Sequence, residues 1–143
     1  MASSSLHDVT IVLTHRGYSW YLPYTLARAR ASNPKARIIL ITDQKSVLLS
    51  RFAELVPMQD HFTEAKEFAS IYQHLSPNPY DFELFCFQRW FILKSVAAQL
   101  GLERCFYLDS DVLLFSDLSE VEKNYRQLQL TVNFEQGPYS CFI

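Results

Sequence analysis

The chain reads as an α/β fold: a mostly parallel, Rossmann-like sheet flanked by helices in three layers, with the sheet incomplete at the C-terminus. Three observations predict it. Short β-branched apolar runs recur along the chain, as expected of strands covered on both faces. Stretches of helical periodicity separate them, which is the pattern of βαβ units. A composition of 49% hydrophobic and 20% charged residues over 143 positions is enough for one globular core. No repeat, low-complexity tract or linker divides it, so one domain over residues 1–143 is expected.

In order, residues 9–14 (Val-Thr-Ile-Val-Leu-Thr) form the first strand, and Gly17 breaks it. Residues 22–31 follow as a helix that tolerates Pro23 in its first turn and ends at Asn33-Pro34. Residues 37–42 (Arg-Ile-Ile-Leu-Ile-Thr) are the second strand, stopping at Asp43. A short helix over 46–53, a short strand at Leu55-Val56 and a helix over 62–74 come next. The loop at Ser76-Pro77-Asn78-Pro79 precedes the clearest helix, 85–100, closed by Gly101. Residues 105–108 give the third strong strand and 130–134 a fourth. The apolar end, Ser140 to Ile143, resembles an unfinished strand.

The formal charge of −2 argues against a nucleic-acid module, which needs a cationic stripe. Gly17, Gly101 and Gly137 are the only glycines, too few for a P-loop or a GxGxxG fingerprint. Cys86, Cys105 and Cys141 form no CxxC pair and read as buried small side chains in a reducing compartment. No apolar run reaches membrane-span length, and the start of the chain lacks the regions of a signal peptide. The expected location is cytoplasmic.

In open α/β sheets, ligands lie beyond the carboxyl ends of the strands. Three polar groups fall there: His15-Arg16, Asp43 and Asp109-Ser110-Asp111. The last sits in Cys-Phe-Tyr-Leu-Asp-Ser-Asp-Val-Leu-Leu-Phe, an apolar run in which ionised carboxylates need compensation. On extended backbone an i, i+2 pair points to one side, where like charges repel. A divalent ion relieves both problems, and oxygen-only ligands suit Mg²⁺ or Mn²⁺ completed by phosphate. The plainer alternative is that Asp109 and Asp111 cap a turn.

The preceding helix is apolar nearly all round, from Phe85 to Leu100, and is expected to be buried. Arg89 lies among these residues, and a buried guanidinium demands an anion. Its partner is Asp109 or Asp111, or that pair together with a phosphate; both readings stay open. Lys94 falls on another face and reads as solvated.

These residues carry a resemblance. The stretch Phe87-Gln88-Arg89-Trp90-Phe91 with Leu93, then 106–115 around Asp109-Ser110-Asp111, is similar to the GT-A-fold glycosyltransferases, which use nucleotide-diphosphate sugars and carry a DxD motif. Tyr21 to Leu26, Ala29-Arg30, Asn33-Pro34 and 38–43 resemble their first βαβ unit, so the likeness spans about residues 9–118.

The resemblance implies a metal-dependent transferase moving a sugar from a nucleotide-diphosphate donor to an unidentified acceptor hydroxyl. Asp111 would be the principal ligand of Mn²⁺ or Mg²⁺, and Asp109 would reach the ribose or the metal's water shell. Ser110 lies between them in the cofactor site. Arg89 would orient the carboxylates or touch the sugar-phosphate. Asp43 would face the base, and Thr14, His15 and Arg16 would line the nucleotide. In such enzymes the acceptor half follows the DxD strand, yet thirty-two residues follow Asp111. The expectation is a donor-binding half, with binding and no turnover as the alternative. Glu135, the one late carboxylate near a strand end, reads as a loop residue.

A rival is the first motif of haloacid-dehalogenase-type phosphatases. That motif ordinarily opens its domain, and here Lys123 is the only lysine after Asp111, with no adjacent acidic pair. His7, His61 and His74 have no ligand spacing, and His61 and His74 are expected at the surface. Tyr72, Tyr80 and Tyr139 read as packing residues.

Overall fold

A computed structural model describes residues 9–131 and 140–143. The architecture of the described residues is α/β, with five strands and four α-helices among them. The described chain falls into two compact units, Met1–Val56 with Arg104–Ile143, and Pro57–Glu103.

The first unit holds the sheet. Its strands are β1 (Thr10–His15), β2 (Arg37–Thr42), β3 (Glu54–Pro57), β4 (Phe106–Leu108) and β5 (Ser140–Phe142), in the order β3-β2-β1-β4-β5. β1 runs parallel to β2 and to β4, while β5 is an antiparallel edge on β4. Thr10 pairs with Arg37 and His15 with Thr42, so β1 and β2 end level. The β-branched runs explain the strands: Ile11, Val12, Leu13, Ile39, Leu40 and Ile41 are fully buried. Complete burial of each such side chain stabilises by about 1.5–3 kcal/mol.

One face of the sheet packs through Ile11, Leu13, Ile38, Leu40, Phe106 and Leu108 onto Leu22, Leu26 and Ala29 of helix α1 (Leu22–Ser32). On the other face Val12, Ile39, Ile41 and Tyr107 are equally inaccessible to water. α1 takes Pro23 in its first turn and stops at Asn33, whose φ of −133° leaves the helical region before Pro34.

Asn33 is a buried clasp. Its Nδ2 donates to the carbonyl of Ser116 at 3.0 Å, and its Oδ1 accepts the Leu118 N–H at 2.7 Å. The neighbouring Ser32 hydroxyl donates to the Leu114 carbonyl at 2.7 Å. The end of α1 therefore fixes the path of residues 114–118 after β4. There a short helix begins that the periodicity reading does not anticipate, over Leu118–Tyr125. Asp117 caps it by accepting the Ser119 N–H at 2.9 Å.

The second unit contains α2 (Thr63–Ile71) and α3 (Tyr80–Leu100), preceded by a 3-10 turn over Met58–His61. Gln88 of α3, 4% exposed, donates to the Ala65 carbonyl of α2 at 2.9 Å. Phe68 stacks against Phe87 and Phe91 with centroids 5.8 and 5.1 Å apart. α3 starts earlier than expected because Pro79 opens it and Asp81 and Glu83 favour its first turn. Gly101 ends it at φ 62°, a left-handed position that glycine adopts freely.

Several expectations need correction. α3 is not buried all round: Leu84, Gln88, Ile92, Leu93 and Val96 form one buried stripe, whereas Phe82 and Phe87 are exposed. The aromatic residues off that stripe pack on one another instead. His61 is buried, not superficial, because the Ser95 hydroxyl lies 2.9 Å from its Nδ1 and satisfies it. The helix expected over 62–74 is shorter, ending at Ile71, and that over 46–53 shrinks to a 3-10 turn at Leu49–Arg51. Lys94 is exposed, as expected, and pairs with Glu64 at 2.8 Å. Leu130 and Thr131 are not in a strand; the rest of the strand expected over 130–134, with Glu135, Tyr139 and His7, lies outside the described residues.

Candidate functional site

The strand order switches between β1 and β4, where chain connections leave in opposite directions. His15 ends β1, Asp43 follows β2, and Asp109-Ser110-Asp111 follows β4. The three polar groups nominated by the sequence therefore lie at the carboxyl ends of three adjacent parallel strands.

Hydrogen bonds draw them together. His15 Nδ1 lies 2.8 Å from the Ser110 hydroxyl. The Thr25 hydroxyl, buried on α1, donates to the Ser110 carbonyl at 2.8 Å. Ser110 is thus gripped through side chain and backbone at once. Residues 109–112 form a turn in which the Val112 N–H donates to the Asp109 carbonyl at 3.1 Å.

That turn corrects one premise. The two carboxylates do not lie on extended backbone within apolar cover: Asp109 is half-buried and Asp111 is exposed. The chain reverses as it leaves β4, so the i, i+2 rule for strands does not apply to them. The apolar residues that follow are also partly in water, with Leu113 and Phe115 exposed.

On the other side, both oxygens of Asp43 accept the Gly17 N–H, at 3.0 and 3.2 Å. The Gln44 side chain returns a bond to the Gly17 carbonyl. Gly17 adopts φ 79°, which a side chain would strain. Asp43 therefore holds the loop after β1, a role the sequence does not announce. Arg16 is exposed on that loop.

His15 is the electrostatic centre. Burial pushes its pKa below the usual imidazole value, while the Asp43 carboxylate, the Gly17 backbone and the Asp111 carboxylate pull it upward. Its Nε2 and the Thr14 hydroxyl are buried without hydrogen-bond partners. Buried polar atoms in native folds are rarely left so, and a bound group can complete them.

Arg89 belongs to the second unit, where it is half-buried and its guanidinium lies 5.1 Å from the Trp90 ring centroid. Thr25, Gly17 and Gln44 join the site without having been singled out. Thr25 carried a signal: it is the one polar side chain on the buried face of α1.

Among the described residues no group of three or more His, Cys, Asp and Glu side chains is assembled for a metal. A divalent ion held by Asp109 and Asp111 would complete its shell with water and phosphate oxygens. The donors are all oxygen, which fits Mg²⁺ or Mn²⁺. A shallow depression of about 430 Å³ lies elsewhere, at the amino end of β2. Its polar groups are already engaged, Arg37 with Glu54 at 2.9 Å and Arg30 with three backbone carbonyls.

Fold and site define the class: an α/β protein with an acidic, histidine-centred cluster at the switch point of its sheet. No family model matches the chain, and no curated protein matches it. None of the helices among the described residues is long and apolar enough to cross a membrane.

Proposed function

We propose that this chain binds a nucleotide-diphosphate sugar with Mn²⁺ or Mg²⁺, as the donor-binding part of a GT-A-type glycosyltransferase. The observation that carries the reading is the His15–Ser110 contact, which joins the end of β1 to the Asp109–Asp111 turn across the switch point. The orphaned Nε2 of His15 and hydroxyl of Thr14 support it, since both offer hydrogen bonds to a ligand.

In this reading Asp109 and Asp111 hold the ion. A bound divalent ion supplies Lewis-acid stabilisation to the departing nucleoside diphosphate. Thr14, His15 and Arg16 line the nucleotide; His15, neutral because it is buried, presents Nε2 to it. Asp43 borders the base while keeping the Gly17 loop closed. Ser110, fixed by His15 and Thr25, sets the direction of the two carboxylates. Arg89 is assigned to the carboxylates or the sugar-phosphate on the resemblance alone.

The test is titration calorimetry of UDP and GDP with and without Mn²⁺. Binding that disappears with EDTA and in Asp111→Asn supports the reading; affinity indifferent to both contradicts it. Mass spectrometry of sugar transfer then separates a transferase from a chain that binds without turnover.

A further inference from the structure

The loop leaving β1 and the first turns of α1 carry large aromatic residues that no described residue covers. Tyr18 is 85% exposed, Trp20 72% and Tyr24 66%. Such a concentration of apolar surface in water marks a ligand-binding face more often than an accident of composition. The rings are ordered relative to one another. Trp20 stands edge-on to Tyr24, centroids 6.3 Å apart, and to Tyr21 at 6.0 Å. Tyr21 in turn stands edge-on to buried His15 at 6.1 Å.

An unbroken run of ring contacts therefore leads from the imidazole at the Ser110 turn to the outer face of α1. Tyr24 and Arg28 lie at i, i+4 spacing on α1 and so share one side, and Trp20 of the preceding turn meets Tyr24. There Arg28 stacks at 4.9 Å on Phe115, which follows the Asp109–Asp111 turn and is 68% exposed.

We infer that this row is an oligosaccharide-binding ledge. Its affinity for carbohydrate rests on the rings alone and not on the donor reading above. A pyranose turns C–H groups to one face and hydroxyls to its rim. An aromatic face takes the C–H side and leaves the hydroxyls in water. Trp and Tyr offer this contact at little conformational cost, since two torsions fix each ring. Its inner end meets the site through Tyr21 and His15.

Charge sets the ledge apart from a membrane-docking surface. The carboxylates of Asp43, Asp109 and Asp111 near its inner end stand beside Arg16 on the loop and Arg28 in the row, so the face lacks the surplus of basic residues that an anionic bilayer requires. A neutral sugar chain needs no such surplus.

The experiment follows the indole N–H signals of the full chain by NMR. It has two, from Trp20 and Trp90, assigned with Trp20→Phe. Cellohexaose, maltohexaose and mannohexaose are titrated separately, without nucleotide or metal. The ledge predicts a saturable shift of the Trp20 signal with at least one hexasaccharide and a still Trp90 signal. Trp20→Ala with Tyr24→Ala lowers that affinity at least tenfold, measured by calorimetry, and Trp20→Phe largely keeps it. The double variant leaves Mn²⁺–UDP affinity unchanged.

A Trp20 signal that ignores all three sugars overturns the inference. So does a double variant that loses nucleotide instead, which makes the rings a base platform, or a Trp20 that responds to phosphatidylglycerol vesicles and not to sugars. Sugar binding without nucleotide binding removes the donor reading and keeps the ledge; the reverse removes the ledge alone.

Discussion

The Nδ1 of His15 and the hydroxyl of Ser110 lie 2.8 Å apart, although ninety-five positions separate them in the chain. The contact exists because β1 and β4 are parallel neighbours, so both strands deliver their ends to the same edge of the sheet. It converts two unrelated stretches of sequence into one polar site.

His15 makes that site sensitive to acid. Burial disfavours the imidazolium in the folded chain, so the unfolded chain takes up the proton first as pH falls. The stability it contributes is present above the unfolded value, near 6.5, and is lost as pH drops from there to the lowered folded value. His15→Asn keeps a hydrogen-bonding atom beside Ser110 and abolishes the titration. Urea midpoints measured between about pH 7.5 and pH 5 should fall more steeply in the parent than in the variant; parallel slopes would contradict the assignment.

Thr25→Val preserves shape and deletes the bond to the Ser110 carbonyl. The cost to stability should be about 1 kcal/mol. Nucleotide affinity in the presence of Mn²⁺ should weaken several-fold, because Ser110, between the two carboxylates, loses one of the bonds that hold it. Calorimetry showing full affinity alongside the stability loss would make Thr25 a packing residue only.

Asn33→Ala removes the clasp between α1 and residues 114–118. The Leu118 N–H is left buried without a partner, a loss of about 1–3 kcal/mol by chemical denaturation. A change below about 0.5 kcal/mol would mean that water replaces the side chain.

The three thiols should separate by reactivity. Cys105 and Cys141 are buried, and burial together with the neighbouring Cys141 pushes the Cys105 thiol up to about 11. Cys86 is only half-buried. Ellman's reagent should titrate Cys86 first in the native chain and reach the other two only in denaturant. Rapid reaction of all three would show that β4 and β5 open easily.

Much of this architecture was legible in the residues. The runs at 9–14 and 37–42 give the strands almost to the residue, since runs dominated by β-branched and other apolar side chains, with Arg37 and the threonines at 10, 14 and 42 as their few polar members, tolerate little but a covered strand. Their carboxyl ends locate His15 and Asp43, and that of the run at 105–108 locates Asp109. What escaped depends on long-range geometry. Asp111 sits on a turn that the apolar residues around it disguise as strand. His61 looked solvated because its partner, Ser95, is thirty-four positions away. α3 looked wholly buried because composition cannot separate a stripe that meets the core from aromatic residues that meet each other. The boundaries of the two units carry no Gly- or Ser-rich signal at Val56 or Glu103. The helix at Leu118–Tyr125 had its Asp117 cap in plain view, but at eight residues its periodicity was too short to stand out.

The claim on which the rest depends is that Asp109 and Asp111 hold a divalent ion together with a nucleoside diphosphate. Electron paramagnetic resonance of Mn²⁺ tests it directly. Adding the chain to Mn²⁺ and UDP, or to Mn²⁺ and GDP, should diminish the free-ion signal beyond what either nucleotide achieves alone, and Asp111→Asn should restore it. A free-ion signal that the chain leaves untouched with both nucleotides, or that it quenches equally with Asp111→Asn and Asp109→Asn, would contradict the account.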